Sequence, residues 1–240
     1  MITEDPVSFF AKNLRFIRQQ KQLSEADFAL MLGIWEDTLK RFERAKAEPD
    51  LDTLISIAEA LDQPLDHLLK RDLDLQRQRL LNRRIKLILL DVDGTLTDGR
   101  MYYTESGDQM KSFNVKDGMM IYRLISRQGM QFGLVSSGYL ENLMQQRAET
   151  LGIQRVYAGR RPKVQVVNEW LEEMNLRMEQ VAFVGDDLND LPLLKRVGVS
   201  ACPADAVAQV KAGVDVVLTR AGGMGCVREF LEEHLGYDIE

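Results

Sequence analysis

The chain has 240 residues, 45% of them hydrophobic and 28% charged, with a formal net charge of −6. This fits one large or two smaller globular domains and excludes collagen-like, bulk-disordered and nucleic-acid-coating proteins. No apolar run approaches the roughly 18 residues of a membrane span, the acidic start MITEDPVSFF lacks the basic region of a secretory signal, and the two cysteines, Cys202 and Cys226, form no metal or disulfide spacing; a cytoplasmic protein is expected.

Residues 1–70 read as short helices. Ser24 with Asp27 makes a capping-box-like start. Gly33 breaks a helix and Glu36–Arg44 resumes one. Residues 71–84 are rich in Arg and Leu, without Gly or Pro, and read as a helical connector. From residue 85 to 240 the text changes. Strands are expected at Ile85–Leu90, Gln131–Ser136, Arg155–Ala158, Val181–Val184, Val199–Cys202 and Val214–Thr219, with helices between, such as Leu140–Leu151 and Val164–Met174. This alternation predicts an α/β domain, a parallel sheet with helices on both faces, preceded by a small all-α domain. Chemistry then belongs at the carboxyl ends of the strands.

Acids collect at those ends. The run IKLILLDVDGTLTDG delivers Asp91 from a buried strand, with Asp93 two residues on, Gly94 for a sharp turn, and the hydroxyls of Thr95 and Thr97. Like charges this close need a reason, and a divalent cation such as Mg²⁺ supplies one. VAFVGDDLND repeats the pattern with Asp186, Asp187 and Asp190. LVSSG ends a strand in Ser136, Ser137 and Gly138, and Lys163 opens a helix after a short strand. Adjacent parallel strands would bring Asp186 to Asp91. Cations, donors and a carboxylate nucleophile together suit phosphoryl transfer.

These four stretches resemble the motifs of the haloacid dehalogenase superfamily of phosphohydrolases. The resemblance implies Asp91 as nucleophile and Asp93 as general acid/base. It implies Lys163 as the charge-balancing lysine, and Ser137 with Gly138 and Thr95 around the phosphate, Ser136 being the alternative hydroxyl. Mg²⁺ would be held by Asp91, Asp93 (through its carbonyl) and Asp186. Asp187 and Asp190 would stand behind these, with a helix cap as the other reading of Asp190.

Only about 20 residues separate Asp98 from Gly118, and they read as a hairpin, so no cap domain is expected. MYYTESGDQMKSFNVKDGMMI, AETLGI and TRAGGMGCVRE further resemble the 3-deoxy-D-manno-octulosonate 8-phosphate phosphatases and their relatives acting on sialic-type sugar phosphates. That family implies a sugar-phosphate substrate and a homotetramer built through the hairpins, with Tyr102, Tyr103 and Phe113 at the interface. Two positions depart from the pattern. Tyr139 follows Gly138 where the family has Arg, or Glu in the sialic-type branch, and Met224 replaces the Arg of a GGRG tail. Arg160, Arg161, Lys111 and Lys116 are the candidate replacements.

Residues 9–69 resemble the Cro/C1-type helix-turn-helix domain, in which the helix near Glu36–Arg44 would enter the DNA major groove. Its first residues here are Trp35, Glu36 and Asp37, and residues 1–70 hold 9 Lys+Arg against 13 Asp+Glu, a poor charge for DNA. The main expectation is a phosphatase. The alternatives are a DNA-binding regulator that senses a sugar phosphate through its second half, and an idle scaffold.

Overall fold

The computed structural model describes residues 6–61, 63, 65–70, 72–75, 84–138 and 141–238. The chain divides into two compact units, Met1–Arg79 and Leu80–Glu240. The connector expected over 71–84 lies mostly outside the described residues.

The first unit is helical: α1 (Pro6–Gln20), α2 (Glu25–Met31), α3 (Glu36–Glu43), α4 (Leu51–Leu61) and α5 (Leu65–Lys70). Ser24 caps α2, its Oγ accepting from the Asp27 N–H at 3.1 Å. Gly33 sits at φ +69° in the turn before α3, a conformation that costs glycine nothing. Leu14, Phe28, Leu39, Ile57 and Leu68 form the core. Beside it, Arg18 grips the buried Glu43 carboxylate with two N–H groups at 2.7 and 2.8 Å. On α3, the Lys40 ammonium is taken by Glu36 at 2.6 Å and Glu25 at 3.6 Å. Trp35, 85% exposed, stands at the head of the helix.

In the second unit the described strands are β1 (Leu87–Leu90), β2 (Tyr102–Tyr103), β3 (Gln109–Met110), β4 (Gln131–Ser136), β5 (Arg155–Ala158), β6 (Val181–Val184), β7 (Val199–Cys202) and β8 (Val216–Val217). Six form one parallel sheet in the order β5-β4-β1-β6-β7-β8, and β2 pairs antiparallel with β3 as the expected hairpin. The helices α6 (Val115–Gln128), α7 (Glu141–Leu151), α8 (Lys163–Met174), α9 (Leu191–Leu194), α10 (Ala208–Lys211) and α11 (Cys226–Glu229) follow in chain order. Two apolar layers sandwich the sheet. Ile88, Leu90, Phe132 and Leu134 lie in one, and Leu87, Leu89, Val135 and Phe183 in the other. Central strands buried on both faces read as unbroken apolar runs, and that is why LILL and VAFV stood out.

Two of the expected strands are shorter, one at the sheet edge and one in its middle. Val214–Thr219 contracts to Val216–Val217, because the Asp215 carboxylate turns to accept from the Ser200 N–H at 3.0 Å and the Ser200 hydroxyl at 3.1 Å. Ile85–Leu90 contracts to Leu87–Leu90. Val164–Met174 extends back one residue to Lys163, behind Pro162, whose fixed φ suits a helix entry.

Asp117 is buried in the first turn of α6. One carboxylate oxygen accepts from the Arg228 N–H at 2.7 Å, and the other has no partner among the described residues. Burial pushes this carboxyl up to about 6 from an ordinary 3.8, against the pull of the Arg228 N–H and of Arg220. The protonated group therefore stabilises the fold below about pH 3.8, and that contribution is lost as pH rises through about 6. Urea unfolding between pH 4 and 7 should show the wild type losing stability relative to Asp117→Asn. Parallel profiles would refute the assignment.

Candidate active site

The strand ends of β1, β4 and β6, with the start of α8, converge on one cluster. Asp91 leaves β1 in extended backbone, its N–H bonded to the Val184 carbonyl at 2.9 Å, so it is locked to the neighbouring strand. Because β1 and β6 are adjacent and in register, Asp186 falls beside it. Oxygens of Asp91, Asp186 and Asp190 lie within 4.8 Å of one another.

Lys163 is the counter-charge. Its buried ammonium donates to Asp91 Oδ1 at 2.5 Å and Asp190 Oδ1 at 2.6 Å. Burial pulls its pKa down, but the two carboxylates outweigh that and hold it above the usual value. Burial pushes Asp91 up to about 6, with Lys163 opposing and Asp190 adding to the rise. Asp186 is raised further, to about 8, by burial and then by the charges of Asp91 and Asp190. The acids thus outnumber the cation among them, and a divalent cation fits the surplus.

Asp190 has a different task from the other two. Its Oδ2 accepts from the Asp186 and Asp187 N–H groups at 3.0 and 3.3 Å, while Oδ1 holds Lys163. It makes no side-chain cap to the following helix, so the cap reading is replaced by that of a brace. With both oxygens committed, Asp186 and Asp91 are the carboxylates left to face a cation.

The loop after β1 is shaped by close approach. Gly94 has φ +87°, and a Cβ there would run into the Asp186 carboxylate. Thr95 is fully buried, and its hydroxyl donates to Asp186 Oδ1 at 3.3 Å, so that hydroxyl is spent on a neighbouring acid. At the end of β4, Ser136 is buried and its Oγ accepts from the Gly138 N–H at 2.9 Å. Ser137 is exposed, with its Oγ accepting from Asn189 Nδ2 at 2.9 Å. Asp93 carries an ion pair with Lys111.

Sequence reasoning singled out the tail glycines but not the partners that fasten their loop. The Gly223 N–H donates to the Thr95 carbonyl at 2.9 Å, and Asn114 Nδ2 donates to the Gly223 carbonyl at 3.0 Å. Asp205 Oδ1 accepts from the Gly222 N–H at 2.9 Å. Glu229 takes the Thr219 and Arg220 N–H groups at 2.7 and 2.9 Å. A Cβ on Gly222 would clash with the Gly94 carbonyl. The paired glycines of RAGGMG were the one available signal. Met224 is 59% exposed on this loop. Tyr139 lies outside the described residues.

Of the candidate replacement cations, Arg161 pairs with Glu169, and Lys116 is exposed on α6. Lys111 reaches a site residue, Asp93. Tyr102 and Tyr103 are exposed, together with Met101 and Met110. Phe113 differs. It is half-buried on its own core, with the Arg147 guanidinium 5.1 Å from its ring centre.

A parallel sheet with these acids, a serine and a buried lysine at its strand ends defines a haloacid dehalogenase-like phosphatase. Residues 152–229 match the haloacid dehalogenase-like hydrolase model, and residues 14–68 match a helix-turn-helix model. Over 145 residues the chain is 39% identical to the 3-deoxy-D-manno-octulosonate 8-phosphate phosphatase KdsC of Escherichia coli K12, covering 60% of this chain and 76% of that protein. The crystal structure of the Yersinia pestis phosphatase of the same name superposes with a TM-score of 0.63 at 36% identity, over 68% of this chain and 85% of that one. The Moraxella catarrhalis phosphatase, solved with magnesium, phosphate and KDO, gives a TM-score of 0.63 at 29% identity, over 68% and 91%. The chain belongs to the KdsC family of haloacid dehalogenase-like phosphatases, and it carries in addition an N-terminal helix-turn-helix domain.

Proposed function

We propose that this protein is a Mg²⁺-dependent phosphomonoesterase acting on an acidic keto-sugar phosphate, 3-deoxy-D-manno-octulosonate 8-phosphate or a close relative. The observation that carries this reading is Asp91, a buried carboxylate at a strand end, held by Lys163 and faced by Asp186. The Asp91 carboxylate attacks phosphorus, the ester P–O bond breaks, and Asp93 gives a proton to the departing sugar oxygen. Asp93 then takes a proton from the water that hydrolyses the aspartyl-phosphate. Ser137, Gly138 and Thr95 surround the phosphate, the Gly138 N–H exchanging Ser136 Oγ for a phosphate oxygen, and Lys163 balances charge on Asp91. Asp91, Asp186 and the Asp93 carbonyl hold Mg²⁺, which when bound neutralises the meeting of anion with anion.

The division runs as a helix-turn-helix domain over 1–70, a connector over 71–84 and the phosphatase over 85–240. The exposed hairpin supports a homotetramer, and Tyr139 and Met224 set the choice of sugar. The enzyme is proposed to act in the cytoplasm; no helix among the described residues is long and apolar enough to cross a membrane. Phosphate release from a panel of octulosonate and sialic-type sugar phosphates tests the reaction. Release that needs Mg²⁺ and falls at least about 100-fold with EDTA is expected; release unchanged by EDTA would overturn the metal dependence.

A second reading, contact with DNA by the first unit, is favoured by its family match. It is opposed by Glu36 and Asp37 at the head of α3 and by the capture of Lys40. Titration with operator-length duplexes at low salt decides it. Binding that weakens steeply with salt would support DNA contact, and no binding would dismiss it.

A further inference from the structure

Lys111 follows strand β3, outside the four strand-end motifs. Its side chain is only 5% exposed, although it comes from a hairpin whose neighbouring residues are open to solvent. A buried lysine is costly unless paired, and its partner is Asp93 Oδ1. The other oxygen, Asp93 Oδ2, turns toward the end of β4. A Cβ on Gly138 would lie 3.0 Å from Asp93 Oδ2, 3.2 Å from Ser136 Oγ and 3.9 Å from Lys111 Nζ. One carboxylate oxygen is thus occupied, and the second points at the turn that carries Ser137.

We infer that Lys111 is a positioning residue for Asp93: by donating to Oδ1 it holds the carboxyl so that Oδ2 is the oxygen that exchanges the proton with the ester oxygen and then with water. This rests on the reaction proposed above. Lys163 is already spent on Asp91 and Asp190, so the two lysines divide the two acids of DVD between them.

The test uses leaving groups of different need. An alkyl ester, 3-deoxy-D-manno-octulosonate 8-phosphate, requires a proton on its departing oxygen, whereas p-nitrophenyl phosphate hardly does. For Lys111→Met, kcat/KM should fall about 100-fold on the sugar ester and less than about 5-fold on p-nitrophenyl phosphate. The ratio cancels any loss of folded enzyme. Lys111→Arg, which keeps a donor for Oδ1, should return the ratio toward wild type. Equal losses on both esters, or an unchanged ratio in Lys111→Met, would overturn the assignment and leave the proposed reaction standing. A wild type that hydrolyses neither ester would overturn the reaction and the assignment with it.

Discussion

Asp91→Asn is expected to lower phosphate release by about four orders of magnitude or more while the protein stays folded. The amide is nearly isosteric and its oxygen can still accept from Lys163, so the packing around β1 is kept. What disappears is the anionic oxygen that bonds to phosphorus. The effect on stability should have the opposite sign to the effect on turnover. Burial and Asp190 hold the Asp91 carboxyl up at about 6, so at neutral pH the charged form is carried at a cost to the fold. In metal-free buffer the variant should unfold at a temperature equal to or above that of the wild type. Retention of more than about one per cent of the wild-type rate would refute the nucleophile. A variant that melts well below the wild type would show that Asp91 has a structural part in addition.

The second large effect falls on stability. Asp190→Ala removes a carboxylate with no exposed surface that serves three donors, Lys163 and the Asp186 and Asp187 N–H groups. Two N–H groups lose their acceptor, and Lys163 keeps only Asp91. Breaking a buried pair from one side costs about 3–5 kcal/mol, because the remaining charge stays desolvated. The urea midpoint of the second unit should drop accordingly, and Asp190→Asn, which keeps one acceptor oxygen, should lie between. A loss under about 1 kcal/mol in Asp190→Ala would mean that water replaces the carboxylate and that the brace described here is dispensable.

The sheet and the strand-end acids were legible because local chemistry determines them. Strands buried on both faces must be continuously apolar, and LILL and VAFV announce themselves before an acid does. The nearness of Asp186 to Asp91 followed from two such strands lying side by side. What side chains do at a distance was less legible. Asp190 read equally as a cap or as a support, because its choice depends on where Lys163 arrives from α8. Lys111 appeared as one of four candidate replacements for an arginine, since nothing in MKSF says that its ammonium turns inward. The contraction of the last strand depended on Asp215 finding Ser200 across the sheet edge, a pairing between residues 15 apart. Apolar patterning reports burial well, whereas polar partnerships depend on geometry that patterning does not encode.

The bracket between RAGGMG and the loop after β1 has a consequence for the order in which the protein comes into being. Gly223 holds the Thr95 carbonyl, and Gly222 has no room for a side chain against Gly94. A ribosome has made the nucleophile and both lysines long before it reaches residue 220. Until then the loop that carries Asp93 lacks the Gly223 N–H on its Thr95 carbonyl. The last residues also carry Cys226, Val227, Phe230 and Leu231 into one of the two apolar layers, so the loop and that layer are completed together, at the end of synthesis.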